Sequence, residues 1–438
     1  MSSTLRSAAS LAALAGTVGA IIGLAGCDTL FPGSKSGGGG DNGGQGGASG
    51  TGQGGSSGTG MKDPSAYPHN SPGATFPYPQ GHAFAHCALP AYDTDKIATA
   101  YTNWKTKFYQ GGRIVRPENG NDTASEGIAY GMLIAVYMND RAMFDTLWGY
   151  AQARLDGNGL MTWHYSSSGS VIDQGGATDA DQDMAWALLM ANKQWGAAAY
   201  LSAATTLIGN IFSHEVDTNG FVLKPGDMFG GANQTNPSYF APSYYRVFAR
   251  VTNNSGWMNV LNTSYTILGK AAGTYGLVPN WVNSQGTGVN GPGSDAANGV
   301  YFGYDACRTP WRIALDYCEN GDPNALAYLQ KIVGFYESKS ATGGLGAIHD
   351  GYTIGGAMPP SNPTNLGVYI AGMAFLGPGG VAAMVGGHDA LVSNIAATLV
   401  YDTTTAIINS NGVFTYFNGS WGLLSMLTLS GNFWDMTQ

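Results

Sequence analysis

The sequence predicts an all-α domain in which paired helices wind into a closed ring. Three observations carry this. About a dozen segments repeat apolar residues at the three- and four-residue spacing of a helix face. Few segments read as clear strands. The stretches between the helical segments are rich in Gly, Asn and Thr, and from about residue 66 onward no second linker divides the chain.

The elements follow in order. Residues 94–108 carry Ile97, Tyr101, Trp104 and Phe108 on one face. Residues 125–138 carry Ile128, Met132, Ala135 and Tyr137, and a further helix spans 141–153. Helices are also expected at 180–193, 198–212, 239–251, 257–271, 311–317, 324–337, 365–375, 387–400 and 421–430.

The first segment is a targeting signal. Arg6 gives a positive start, an apolar run spans 11–25, and the run ends in Leu24-Ala25-Gly26-Cys27. Small residues after an apolar core describe a secretory signal. The ending resembles the bacterial lipobox, in which the Cys is lipidated; the plainer alternative is a cleaved signal with an incidental Cys. The run is shorter than the ~20 residues of a membrane-spanning helix. Residues 34–60 are almost wholly Gly and Ser, a composition that forms a flexible coil. The expected organisation is a signal at 1–27, a linker at 28–65 and a catalytic domain at 66–438. Membrane contact would come only through the lipid anchor, at the cell envelope or cell surface, and the domain is expected to be monomeric.

Only 11% of the 438 residues are charged, and the formal net charge is −9. Scattered Lys and Arg in an acidic chain leave no footprint for nucleic acid. A neutral or cationic polymer suits this balance better than a polyanion. There are four cysteines, Cys27, Cys87, Cys307 and Cys318. Their spacing matches no structural zinc site. With Cys27 in the leader, at most one disulfide forms within the domain, and its pairing stays open. No metal or cofactor is expected.

Three carboxylate segments stand out. In Ser125-Glu126-Gly127-Ile128-Ala129-Tyr130-Gly131-Met132, Glu126 opens an apolar helix. A first-turn Glu favours the helix dipole; in an apolar pocket the same acid would instead hold its proton and donate it. In Ala177-Thr178-Asp179-Ala180-Asp181-Gln182-Asp183, three aspartates alternate before an apolar helix. N-capping needs one of them, and the further ligands of a calcium loop do not follow. In Tyr304-Asp305-Ala306-Cys307-Arg308, Asp305 either starts a helix paired with Arg308 or serves as a carboxylate kept ionised by positive charge. Two carboxyls flanking a glycosidic bond are the minimum apparatus for its hydrolysis. Trp163, Trp281, Tyr352 and Tyr416, all expected in loops, suit the flat faces of sugar rings, while Trp148 and Trp186 read as core.

At these residues the chain resembles glycoside hydrolase family 8, which holds bacterial endoglucanases with some chitosanases, lichenases and xylanases. The 177–185 segment with Ala191 and Trp195 is similar to the family signature. Leu160-Met161-Thr162-Trp163, Leu223-Lys224-Pro225-Gly226-Asp227, Asn236-Pro237-Ser238-Tyr239-Phe240-Ala241-Pro242 and Asp350-Gly351-Tyr352 look like stretches of clostridial-type members.

The resemblance implies an (α/α)6 barrel with a substrate groove across one end and an inverting endo-β-1,4-glucanase acting on cellulose-type glucans. It implies Glu126 as general acid, Asp305 as general base and Asp179 as the residue that holds and distorts the sugar. Trp163, Tyr304, Arg308, Phe229 and Tyr416 would bind substrate. Val413 stands where relatives carry Tyr, which predicts a weaker subsite there. Inversion predicts Glu126 and Asp305 carboxyls about 6.5–9.5 Å apart. The rival expectations are chitosan, xylan or mixed-linkage glucan as substrate, trimming of cellulose during its synthesis, or a lipoprotein that binds polysaccharide without cutting it.

Overall fold

Six helices with almost no exposed surface stand inside six amphipathic ones. In this computed structural model residues 62–293, 296–360, 366–405 and 415–438 are described. The twelve α-helices are α1 (Thr94–Phe108), α2 (Ser125–Tyr137), α3 (Arg141–Gln152), α4 (Thr178–Trp195), α5 (Ala198–His214), α6 (Pro242–Thr252), α7 (Gly256–Ala271), α8 (Thr309–Asn320), α9 (Pro323–Gly343), α10 (Met373–Ala382), α11 (Asp389–Thr405) and α12 (Tyr416–Leu429).

Even-numbered helices form the inner ring: α2 packs on α4 and α12, α10 on α8 and α12, and α6 on α8. Odd-numbered helices lie outside, each against inner neighbours. The periodicity explains the division. In α1 the buried residues are Ile97, Ala100, Tyr101, Trp104 and Phe108, one stripe of an otherwise polar helix. In α2 every residue but Glu126 is buried, which suits a helix enclosed on all sides. The architecture is an (α/α)6 barrel.

Strands are few and short. Thr123–Ala124, His164–Tyr165 and Val171–Asp173 form one antiparallel sheet at the entrance to α2. Among the described residues no helix is long and apolar enough to cross a membrane. Cys87 is disulfide-bonded to Cys318, which ties the lead-in segment to the end of α8. Cys307 is free and buried.

Several helix bounds need correction: the helix expected over 324–337 runs to Gly343, that over 387–400 runs to Thr405, and that over 421–430 begins at Tyr416. The helix expected over 239–251 begins at Pro242, because Pro237–Tyr239 forms a 3-10 turn and proline suits the first helical turn. The helix expected over 365–375 instead spans Met373–Ala382 and runs through Gly377-Pro378-Gly379-Gly380. That stretch reads as a loop, yet packing demands it. A side chain at Gly377 would meet Ser425, at Gly379 Tyr336 and at Gly380 Ile395, each closer than 3.0 Å. The signal, Cys27, the 28–61 part of the linker and Val413 lie outside the described residues.

Candidate active site

The N-terminal ends of α2, α4 and α12 meet the 3-10 turn Ala306–Arg308 that leads into α8. Each contributes one of its first residues to an open cavity or its wall. Glu126 is second in α2 and Asp179 second in α4. Tyr416 is first in α12, and Asp305 caps the turn. The cavity, about 390 Å³, is lined by Arg116, Glu126, Asn280, Tyr304, Asp305, Arg308 and neighbours.

Arg308 organises these groups. Its guanidinium is 2% exposed. Nη1 lies 2.7 Å from Asp179 Oδ2 and 3.5 Å from Glu126 Oε2, and Nη2 lies 2.9 Å from Asp305 Oδ1. Nη2 also donates to Ser238 Oγ at 2.9 Å. Ser238 is itself fixed by Asn236, whose Oδ1 accepts from the Ser238 backbone and hydroxyl. The Tyr239 ring lies 5.2 Å from the guanidinium carbon. The Asn236-Pro237-Ser238-Tyr239 stretch therefore cradles the arginine. One layer deeper, Arg312 pairs with Asp183 through both nitrogens. Asp179 and Asp183 are four residues apart on α4, as are Arg308 and Arg312, so two Asp–Arg pairs stack between the helices.

The Glu126 carboxyl is 22% exposed. Tyr416 OH donates to Oε1 at 3.2 Å, and Tyr130 OH lies 3.4 Å from Oε2. Burial raises its pKa above the usual carboxylate value; Arg308 opposes this and the charge on Asp179 reinforces it. Gly127 permits the arrangement, because a side chain there would stand 3.0 Å from the Tyr416 hydroxyl.

Asp305 is set differently. Trp281 Nε1 donates to Oδ2 at 3.1 Å while Arg308 holds Oδ1. Its loop is stapled by Asn280, whose Oδ1 accepts from the backbone of Gly303 at 3.0 Å and Ala306 at 2.9 Å. Glu126 and Asp305 thus flank one guanidinium, one tending to hold a proton and the other held by two donors.

The three predicted carboxylates come together with Arg308. Tyr304 is 41% exposed and lines the cavity, its hydroxyl donating to Asp350 at 3.0 Å. Phe229 is 40% exposed, with its ring centroid 6.4 Å from that of Trp281. Trp163 is half-buried, and its backbone carbonyl accepts from Ser125 at the start of α2. Three aromatics expected as open platforms are buried. Tyr416 (2% exposed) starts α12 and turns its hydroxyl on Glu126. Trp281 (3%) serves as a donor to Asp305, and Tyr352 (2%) packs on Phe335. Sequence reasoning missed Asn280, Ser238, Arg116 and the Tyr130 hydroxyl. Ser238 lies in the 236–242 stretch and Tyr130 in the 125–132 segment, whereas nothing in the sequence pointed to Asn280 or Arg116. Among the described residues no group of three or more His, Cys, Asp or Glu side chains could hold a metal ion.

Comparison with known proteins agrees with this geometry. Residues 76–429 match the glycosyl hydrolases family 8. The chain is 36% identical to Endoglucanase 2 of Ruminiclostridium josui over 385 residues, covering 85% of this chain and 77% of that protein. It is 38% identical to Endoglucanase A of Acetivibrio thermocellus over 358 residues, covering 78% and 70%. The solved apo β-1,3-1,4-glucanase from Paenibacillus sp. X4 superposes with a TM-score of 0.73 at 28% identity, over 82% of this chain and 99% of that one. The chain belongs to glycosyl hydrolases family 8 and is a glycoside hydrolase.

Proposed function

We propose that this enzyme hydrolyses internal β-1,4 bonds of cellulose-type glucans with inversion. The observation that carries the reading is the pairing of unlike carboxyls across Arg308: Glu126 with a raised pKa, Asp305 held by Arg308 and Trp281. Relatives named endoglucanase at 36% and 38% identity support the substrate class.

In the mechanism, the glycosidic oxygen sits against Glu126, which donates its proton as the bond breaks. Asp305, oriented by Arg308 and Trp281, takes a proton from a water on the opposite face of the sugar. Asp179, clamped by Arg308 at 2.7 Å, holds a hydroxyl of the ring being cleaved. Tyr130 and Tyr416 steady the Glu126 carboxylate after the proton has left. The open cavity and the exposed rings of Tyr304 and Phe229 suit a chain that continues on both sides, as endo cleavage requires.

The test is reducing-end release from soluble cellulose, mixed-linkage glucan, chitosan and xylan, side by side. The account expects fastest release from soluble cellulose. Glu126→Gln should keep substrate binding and lower kcat by about 10²–10⁴-fold. Full activity in that variant removes Glu126 from the role of acid. A second reading, mixed-linkage β-glucan as the preferred substrate, draws on the likeness to the Paenibacillus β-1,3-1,4-glucanase.

We also propose export and lipid anchoring at Cys27. The Cys87–Cys318 disulfide supports export, since such bonds persist in oxidising compartments. Labelling with a radioactive fatty acid, lost in Cys27→Ser, checks the anchor.

A further inference from the structure

Tyr304 lines two cavities. One is the cleft lined by Glu126, Asp305 and Arg308. The other, about 240 Å³, lies beyond the ring and is lined by Tyr369, Ile370, Thr398, Asp402 and Asn418 among others. We infer that this second cavity is a remote sugar subsite, which receives a unit of the same glucan chain after it has passed Tyr304. The inference rests on the glucanase reading above.

Four observations converge. First, the two cavities share a wall, so a chain leaving the cleft along Tyr304 arrives at the second one. Second, the aromatic and apolar surface there is exposed: Tyr304 is 41%, Tyr369 51% and Ile370 53% exposed. Such rings cover the apolar faces of pyranoses, and adjacent exposed apolar residues mark a binding surface. Third, the rings are held in place. Asp350, 2% exposed, accepts from Tyr304 OH at 3.0 Å and from the Tyr369 backbone at 3.1 Å, while its own N–H donates to the Tyr369 carbonyl. One buried carboxylate thereby fixes the aromatic of the cleft and the backbone of the next aromatic. Fourth, Asp402 brings a carboxyl to this cavity and takes no hydrogen bond from any described residue, whereas Asn418 and Thr398 are already engaged. A half-buried carboxyl that takes no hydrogen bond from the described residues, set beside two rings, is the composition that recognises sugar hydroxyls.

The test uses the full chain, Tyr369→Ala and Asp402→Asn, with soluble β-1,4-gluco-oligosaccharides of stepwise length. For the longest oligomers the account expects KM to rise about tenfold in either variant, the loss of one good contact. For the shortest cleavable oligomer KM and kcat should stay within about twofold, which also shows that the variants are folded. Unchanged KM at every length in both variants overturns the inference, as does an equal rise at every length. Failure of the unaltered enzyme to cut any oligomer sinks the glucanase reading and this inference with it; cleavage without length dependence sinks the subsite alone.

Discussion

The two faces of α4 treat their aspartates in opposite ways. Asp179 and Asp183 face Arg308 and Arg312 and form buried ion pairs with them. Asp181, between them in sequence, points to the other side. There it accepts from the Met161 backbone at 3.1 Å and approaches Glu215, and among the described residues no ion pair joins either to a cation. Among the described residues Asp181 Oδ2 and both Glu215 oxygens have no hydrogen-bond partner, and both residues are fully buried. Burial and the neighbouring Asp179 and Asp227 push both pKa values well up, and the charge on Asp181 adds to the rise at Glu215. Asp156 adds to the rise at Asp181. The difference teaches that three alternating acids serve two ends: those facing an arginine are held in buried ion pairs, and burial without a cation favours the neutral form of the one between them.

The comparison breaks most visibly at Asp179. Asp179→Asn leaves Arg308 to Glu126 and Asp305 alone, and kcat should fall by at least about 10²-fold. Steady-state kinetics checks this; activity near that of the unaltered enzyme would separate the paired face from catalysis. Next comes Asp183→Asn, which strands the buried Arg312. Removing one partner of such a pair costs about 3–5 kcal/mol. Denaturant unfolding should show that loss, and a change under about 1 kcal/mol would contradict the stacked-pair account.

The unpaired face is sharpened by pH. Asp181 and Glu215 have folded pKa values above their unfolded ones, ordinarily about 3.9 and 4.3. As pH rises, the unfolded chain releases these protons first. Their stabilising effect is therefore complete below about pH 4 and declines as the pH climbs toward the folded values. Glu215→Gln removes one of the two acids and cannot ionise. Its Tm should fall less than that of the unaltered enzyme between about pH 5 and pH 9. Parallel Tm curves would show that the pair does not hold a proton. The smallest effect is expected at Tyr416→Phe. Losing that donor disfavours the Glu126 carboxylate, so the alkaline limb of kcat/KM should move upward, by less than about one pH unit.

Much of this was legible in the sequence where local pattern and tertiary packing agree. Helix α1 has the bounds its apolar stripe predicts, because one face alone is buried. The alternating aspartates pointed to the cleft because N-capping needs only one of them, and the 304–308 segment did so through its resemblance to family 8. Other features depend on contacts between distant residues. Glycines stand at 377, 379 and 380 within α10 where Ser425, Tyr336 and Ile395 leave no room for larger side chains, a packing reason that local sequence does not display. Trp281 and Tyr416 read as sugar platforms by composition, yet burial turns their polar tips onto Asp305 and Glu126. The partnership of Asp181 with Glu215 had no signal, since the two are far apart in the chain and neither shows a motif.

The central claim is that a water activated by Asp305 attacks from the face opposite Glu126. Proton NMR of the first sugar released from a β-1,4-gluco-oligosaccharide tests it directly, before mutarotation mixes the anomers. The account predicts that the α-anomer appears first. Initial release of the β-anomer would mean retention through a covalent intermediate and would contradict the assigned roles of both carboxylates.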